Sequence, residues 1–201
     1  TIKAVSRLAQ SGEIKRFSKG QFYRPKKSRF GEIQLNDAEK LKSFMYRNGE
    51  LTGYVTGMRL YNRMGLTTQI SKTITIASDK SPQRKDLGTV EIKLVKARAP
   101  VSESNRAFLE ILDVLSELKR IPDNDPSTVM KIVSDRLNKF DKNDFSELVE
   151  LANYYPQVTR ALLGILTDSR NKALTTLRKR KLNPATRYKV GLDNYWTNAR
   201  E

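Results

Sequence analysis

The chain has 201 residues, carries a formal net charge of +16 at pH 7, and contains neither histidine nor cysteine. Because these two residue types are absent, a Ser-His-Asp triad, a thiol nucleophile, a disulfide and a zinc-finger site are all excluded. We therefore predict a protein that is not an enzyme and needs no metal or cofactor. The lack of cysteine is typical of the cytoplasm, and no apolar run approaches the roughly 20 residues that a membrane-spanning helix needs.

Positive charge is concentrated at the two ends of the sequence. Residues 1–31 carry a net charge of +8 and residues 169–201 carry +7, whereas residues 101–168 carry −4. A dense positive surface attracts polyanions, so nucleic acid is the first partner that the charge pattern suggests. A solvated charged face without a ligand is the alternative, and charge alone leaves it open.

Residues 1–31 predict a short amphipathic helix followed by a hairpin. Apolar residues recur at helical spacing in Ile2–Gln10, and Gly12 follows as a helix stop. Two strand-like runs, 13–17 and 21–25, are joined by a glycine turn. A helix with an outward face of Arg, Lys and Gln, followed directly by a basic hairpin, is the order of recognition helix and wing in a winged helix-turn-helix domain.

In such a domain the helix contacts base edges in the major groove and the wing contacts phosphates. The predicted base-facing residues share the outer face of the helix; they are Lys3, Ser6, Arg7 and Gln10. The predicted phosphate-binding residues are the cations that follow, namely Lys15, Arg16, Lys19, Arg24, Lys26, Lys27 and Arg29.

A complete winged helix has two helices before the recognition helix, and the sequence begins with the recognition helix. We therefore expect a partial winged helix, in which the apolar face of Ile2, Val5 and Leu8 is covered by another part of the chain or by a neighbouring molecule. The alternative, which stays open, is that the helix and hairpin brace the larger domain or dock another protein.

Residues 32–100 predict a mixed α/β subdomain. A first helix is expected between residues 33 and 47 with Asn36 or Asp37 as N-cap, and a second is expected to be capped by Thr56. Two alternating runs rich in β-branched residues then predict a hairpin of antiparallel strands over 72–77 and 89–95. Tyr54, Arg59 and Tyr61 are expected to be packing residues rather than a platform for nucleic-acid bases. The segment contains no glycine-rich phosphate loop, so no nucleotide site is predicted.

Residues 101–201 predict a helical subdomain with a basic C-terminal tail. One helix is expected to end at Pro122, a second to begin at Asp125-Pro126, a third to follow 141–144, and a fourth to include 162–166. These four helices predict a small bundle, and the acidic residues at their starts are expected to cap helices rather than bind metal. The tail is predicted to bind nucleic acid or an acidic partner protein, with a solvated arm as the alternative. Its candidate residues are Arg178, Lys179, Arg180, Lys181, Arg187, Tyr188 and Lys189.

Several short motifs resemble those of the AbiEi-type antitoxins of type IV toxin–antitoxin systems. They are Gly53-Tyr54, Thr56-Gly57, Leu60-Tyr61-Asn62-Arg63-Met64-Gly65-Leu66-Thr67-Thr68-Gln69, Tyr155-Pro156, Thr159-Arg160-Ala161-Leu162-Leu163-Gly164, Leu182-Asn183-Pro184, Thr186-Arg187-Tyr188-Lys189 and Gly191. The resemblance extends over nearly the whole chain.

The resemblance implies a bacterial two-gene unit of the kind used in phage defence. In such a unit the protein counters a toxin with a nucleotidyltransferase fold, by direct contact or by opposing its effect, and represses the shared promoter through its N-terminal winged helix. It implies no catalytic residue. The sequence thus predicts an α+β protein in which a partial winged helix precedes a mixed α/β and helical antitoxin domain, with operator DNA and a cognate toxin as partners. An ordinary winged-helix regulator and a module that sequesters a partner enzyme remain alternatives, whereas the dispersed Asp79, Asp86 and Glu91 argue against a carboxylate-metal nuclease.

Overall fold

A computed structural model of the chain describes residues 2–18, 21–29, 31–33, 36–88 and 90–167. The helices are α1 (Ile2–Gln10), α2 (Asp37–Met45), α3 (Met58–Arg63), α4 (Arg106–Ser116), α5 (Pro126–Leu137), α6 (Lys142–Leu151) and α7 (Gln157–Thr167), with 3-10 turns at Leu118–Arg120 and Ala152–Tyr154. The strands are β1 (Lys15–Ser18), β2 (Gln21–Tyr23), β3 (Lys26–Ser28), β4 (Gly31–Ile33), β5 (Tyr46–Arg47), β6 (Glu50–Leu51), β7 (Gly53–Thr56), β8 (Thr73–Ser78), β9 (Gln83–Asp86) and β10 (Glu91–Lys96). The predicted mixture of helices and strands is confirmed.

The N-terminal segment contains the predicted helix and hairpin in the predicted order. Helix α1 stops where Gly12 adopts a φ of +74°, and β1 and β2 then pair antiparallel. A second antiparallel hairpin, β3 with β4, follows directly and was not expected from the sequence. The described side chains of α1 are all exposed, including Val5 at 36% and Leu8 at 37%, so the apolar face of this helix has no cover among the residues that the structure describes.

Local capping signals fix where several helices begin. Asn36 accepts the backbone N–H of Glu39 at the start of α2, and Asp125 accepts those of Ser127 and Thr128 at the start of α5. These side chains satisfy N–H groups that have no partner within the helix. The predicted cap of α3 is wrong, because Gly57 holds that position with a φ of 66° while Thr56 ends β7.

The four-stranded sheet has the order β7-β8-β10-β9, and it corrects the predicted strand direction. Strands β8 and β10 are parallel, with Thr73 beside Glu91 and Ser78 beside Lys96. The intervening strand β9 pairs antiparallel with the far side of β10, which brings β10 into the sheet in the same direction as β8. Strand β9 was missed because its sequence, Gln-Arg-Lys-Asp, has no apolar alternation.

The two faces of this sheet pack against different partners. On one face Ile74, Ile76, Ile92 and Leu94 pack around Phe44 of α2. On the other face the side chains of β7 and β8 join a larger cluster that includes α3 and the apolar residues of α4–α7. Apolar residues from both sides of residue 100 therefore share one hydrophobic cluster. None of the described helices is both long and apolar enough to span a bilayer.

Strands β7 and β8 approach closely at Gly53, which lies opposite Ser78. A Cβ atom at Gly53 would lie 2.7 Å from the Ser78 Cβ atom and 3.0 Å from the Ala77 carbonyl oxygen. We expect Gly53→Ala to lower the free energy of unfolding by about 1–3 kcal/mol, as overpacking does in a dense core, measured by urea denaturation. In a double-mutant cycle with Ser78→Gly, the cost of Gly53→Ala should fall, because the nearest clashing atom is gone. Additive costs would contradict this explanation.

Candidate nucleic-acid interface and polar pocket

The exposed face of α1 carries the residues predicted to contact bases. Lys3, Ser6, Arg7 and Gln10 are all exposed, and their spacing of three and four residues places them on one side of the nine-residue helix. Neither Lys3 nor Arg7 forms an ion pair with a residue that the structure describes. The helix thus presents two cations and two uncharged hydrogen-bonding side chains on one surface.

The two hairpins carry the predicted phosphate-binding residues. Lys15 and Arg16 lie in β1, Arg24 follows β2, Lys26 and Lys27 lie in β3, and Arg29 lies in the turn before β4. Lys19 lies outside the described residues, and for Lys27 only the backbone is described. The predicted tail residues, from Arg178 to Lys189, also lie outside the described part of the chain.

Three of these cations are paired with acids that the sequence did not link to them. The Lys15 ammonium bonds the Glu32 carboxylate, the Arg24 guanidinium lies 3.5 Å from Glu13, and the Lys26 ammonium lies 4.0 Å from Glu39. The hydrogen bond to Glu32 raises the pKa of Lys15, so this side chain stays charged. All six side chains are at least 40% exposed, and exposed pairs of this kind contribute little to stability. Each of the three cations can therefore leave its carboxylate and bind another anion.

The dispersed carboxylates Asp79 and Glu91 each bond their own donors and do not form a cluster. Asp79 lies 3.0 Å from the Arg47 guanidinium, while Glu91 accepts hydrogen bonds from Thr73 at 2.7 Å and Arg84 at 3.0 Å. In the part of the chain that the structure describes, no three acidic side chains come together as metal ligands would.

A polar pocket of about 690 Å³ lies between the sheet and α4, and it was not predicted from the sequence. Its walls come from the ends of β7 and β8, from β10, and from the C-terminal half of α4 with the turn that follows. The lining residues are Tyr54, Thr56, Gly57, Tyr61, Thr75, Ala77, Lys93, Val95, Lys96, Ala97, Arg98, Asp113, Ser116, Glu117 and Arg120.

A shared carboxylate forms the floor of this pocket. Asp113 accepts hydrogen bonds from the Tyr54 hydroxyl at 2.9 Å, the Thr56 hydroxyl at 2.6 Å and the Tyr155 hydroxyl at 2.9 Å. Burial raises the pKa of Asp113, and the three hydroxyl donors with the charge of Arg98 oppose that shift. Burial and the nearby carboxylate also raise the pKa values of Tyr54 and Tyr155, so both phenols keep the protons that they donate.

The motifs that resemble the antitoxin family supply the partners of this carboxylate. Tyr54, Thr56 and Tyr155 come from segments about 100 residues apart and meet at Asp113. Asp113 itself was overlooked because it interrupts an apolar helix without belonging to any motif. The sequence signal that could have identified Asp113 is a single carboxylate between two apolar residues, Leu112 and Val114, which the structure shows to be buried.

The raised pKa of Asp113 predicts a pH-dependent stability. Its contribution to folding is fully present below the unfolded pKa of about 3.9 and is lost as the pH rises through the higher folded value. Asp113→Asn has no carboxyl group at this position. We therefore expect the unfolding free energy of the wild type, minus that of Asp113→Asn, to decrease between pH 4 and pH 7 in urea titrations. Subtraction removes the titration of all other groups, so a flat or increasing difference would contradict the prediction.

A comparison with protein families places these features in a known group of sequences. The profile of DUF6088, described as a family of unknown function, matches residues 1–145. That span contains α1, both hairpins, the four-stranded sheet and Asp113. No curated protein and no solved structure matches the chain. Because the matched span covers well over half of the 201 residues, the chain belongs to the DUF6088 family.

Proposed function

We propose that this protein is a DNA-binding antitoxin that represses its own operon in the cytoplasm of a bacterium and counters a toxin with a nucleotidyltransferase fold. The observation that carries the DNA-binding part is the exposed face of α1, followed directly by two basic hairpins. The resemblance of the 53–69 and 155–164 motifs to AbiEi-type antitoxins supports the second part.

The size and chemistry of α1 suit a recognition helix. Nine residues give a length of about 13 Å, and a helix fits the major groove, which is about 12 Å wide. Arg7 can donate two hydrogen bonds to guanine, and Gln10 can form two hydrogen bonds with adenine. Lys3, on the same face at the start of the helix, can bind a base edge or a phosphate. Base recognition would thus come from one helical face.

The hairpins would act as the wing. Their cations are held by Glu13, Glu32 and Glu39 in exposed pairs, and phosphate oxygens are stronger anionic acceptors for Lys and Arg than a single solvated carboxylate. Binding to DNA would therefore exchange these acids for phosphates. This exchange also makes the strength of the wing contact adjustable through three glutamates.

The salt dependence of DNA binding tests the wing. With full-length protein and a duplex from its own promoter, Glu32→Gln should free Lys15 and steepen the slope of log K against log salt by up to about 0.9, while Lys15→Gln should reduce it. Lys131→Gln, on the exposed surface of α5, makes the same charge change and should leave the slope unaltered. Arg7→Ala should relax base preference at a cost of roughly 1–3 kcal/mol. Equal slopes for Lys15→Gln and Lys131→Gln would reject the wing.

Co-expression with the neighbouring gene tests the antitoxin activity. If that gene encodes a nucleotidyltransferase-fold toxin, growth arrest on its induction should be relieved by the full-length protein. The combined Arg7→Ala and Lys15→Gln variant should lose promoter repression, read with a reporter, yet still relieve the arrest, because we assign the two activities to different parts of the chain. No relief by the wild type would refute the antitoxin assignment and leave DNA binding to be judged by the salt series.

A further inference from the structure

The pocket above Asp113 has walls that are built from regular elements. Lys93 and Val95 of β10 lie beside Thr75 and Ala77 of β8 in the parallel register. Residues two apart on a strand share a face of the sheet, so these four side chains form one wall of the pocket. The opposite wall is one side of α4 and its extension, because residues 113, 116, 117 and 120 follow helical spacing. Such walls hold a fixed shape, which a ligand site requires.

One lysine on this surface forms no direct ion pair with a residue that the structure describes. Lys93 is partly buried on the sheet face that looks toward α4, and it makes no hydrogen bond or salt bridge with a described residue. Glu91, the nearest carboxylate on the same strand face, is already bonded by Thr73 and Arg84. The charge of Lys93 helps to lower the pKa of Glu91, but its ammonium group still has three N–H donors to offer an anion in the pocket.

A second cation, the exposed Arg98, lines the pocket beside an aromatic ring. The Arg98 guanidinium lies 5.6 Å from the centre of the Tyr155 ring and forms no ion pair with a described residue. Two further cations are engaged within the chain, since Arg120 bonds Glu117 at 2.9 Å and Lys96 donates to the Asp79 carbonyl at 3.0 Å. Lys93 and Arg98 are therefore the lining cations without a direct hydrogen bond or ion pair to a described residue, although the charge of Arg98 also acts on Asp113.

The floor offers the complementary chemistry. Asp113 Oδ1 accepts one hydrogen bond, from Tyr155, and a carboxylate oxygen can accept two. Asp113 lines the pocket. Gly57 borders the same space with a φ of 66°, and a Cβ atom there would lie 3.4 Å from the Thr75 hydroxyl on the wall.

We infer that this pocket binds an organic phosphate of nucleotide size, with its phosphate at Lys93 and Arg98 and its hydroxyl or amino donors at Asp113. A volume of about 690 Å³ lies within the range of small-molecule sites, roughly 300–1,000 Å³, and greatly exceeds the space that a phosphate ion fills. The combination of two cations without direct ion pairs and one carboxylate favours a ligand that carries both an anion and hydrogen-bond donors. The inference concerns a small molecule and does not depend on the proposed binding to DNA.

Calorimetric titration of the full chain tests the site with AMP, ATP, glucose 6-phosphate, adenosine and inorganic phosphate. We expect saturable binding of AMP or ATP, with adenosine and inorganic phosphate each at least tenfold weaker. Lys93→Gln and Arg98→Gln should each weaken nucleotide binding about tenfold or more, since each removes a charge-assisted hydrogen bond. Lys131→Gln lies outside the pocket and should bind as the wild type does.

The outcomes separate a built site from general attraction to a basic protein. Tighter binding of glucose 6-phosphate than of AMP would support the same chemistry with a sugar phosphate as the ligand. Three results would overturn the inference. They are an affinity for inorganic phosphate equal to that for AMP, a loss of AMP affinity in Lys131→Gln equal to that in Lys93→Gln, and the lack of saturable binding of any organic phosphate. Circular dichroism checks folding, and the exposed Arg98 keeps the test valid if Lys93→Gln unfolds.

Discussion

The carboxylate of Asp113 is the interaction on which the larger part of the structure depends. It joins β7, through Tyr54 and Thr56, to α4 and to Tyr155 just before α7. A carboxylate at this depth loses much of its hydration, and the three hydroxyl donors replace that water. The sheet and the helices are thereby fixed to each other by polar bonds as well as by their shared apolar cluster, and the same residue lines the pocket.

The features that the sequence predicted correctly are those with local causes. The caps Asn36 and Asp125 act within one helical turn, and the apolar spacing of α4 fixes its buried side whatever it packs against. The direction of β10 relative to β8 has no such local cause, because alternation shows only that a strand has two faces. The parallel pairing of β10 with β8 depends on β9, and the polar sequence of β9 does not predict a strand.

The candidate sites divide along the same line. The exposed residues of α1 could be grouped from helical spacing alone, whereas Glu13, Glu32 and Glu39 meet their cations only through the folding of the hairpins and the start of α2. The pocket could not be predicted from local sequence, because Lys93, Arg98 and Asp113 belong to different elements and meet only in the folded chain. A negatively charged neighbour changes what a basic residue can do, and sequence spacing does not reveal that neighbour.

The charged outer strand has a consequence for assembly. Strand β9 ends the sheet on one side, and three of its four residues, Arg84, Lys85 and Asp86, bear charges. An open sheet edge invites strands from other molecules, and charged side chains along it are a common natural defence against such aggregation. The sheet therefore resists growth on that side, which leaves β7 as its other edge strand.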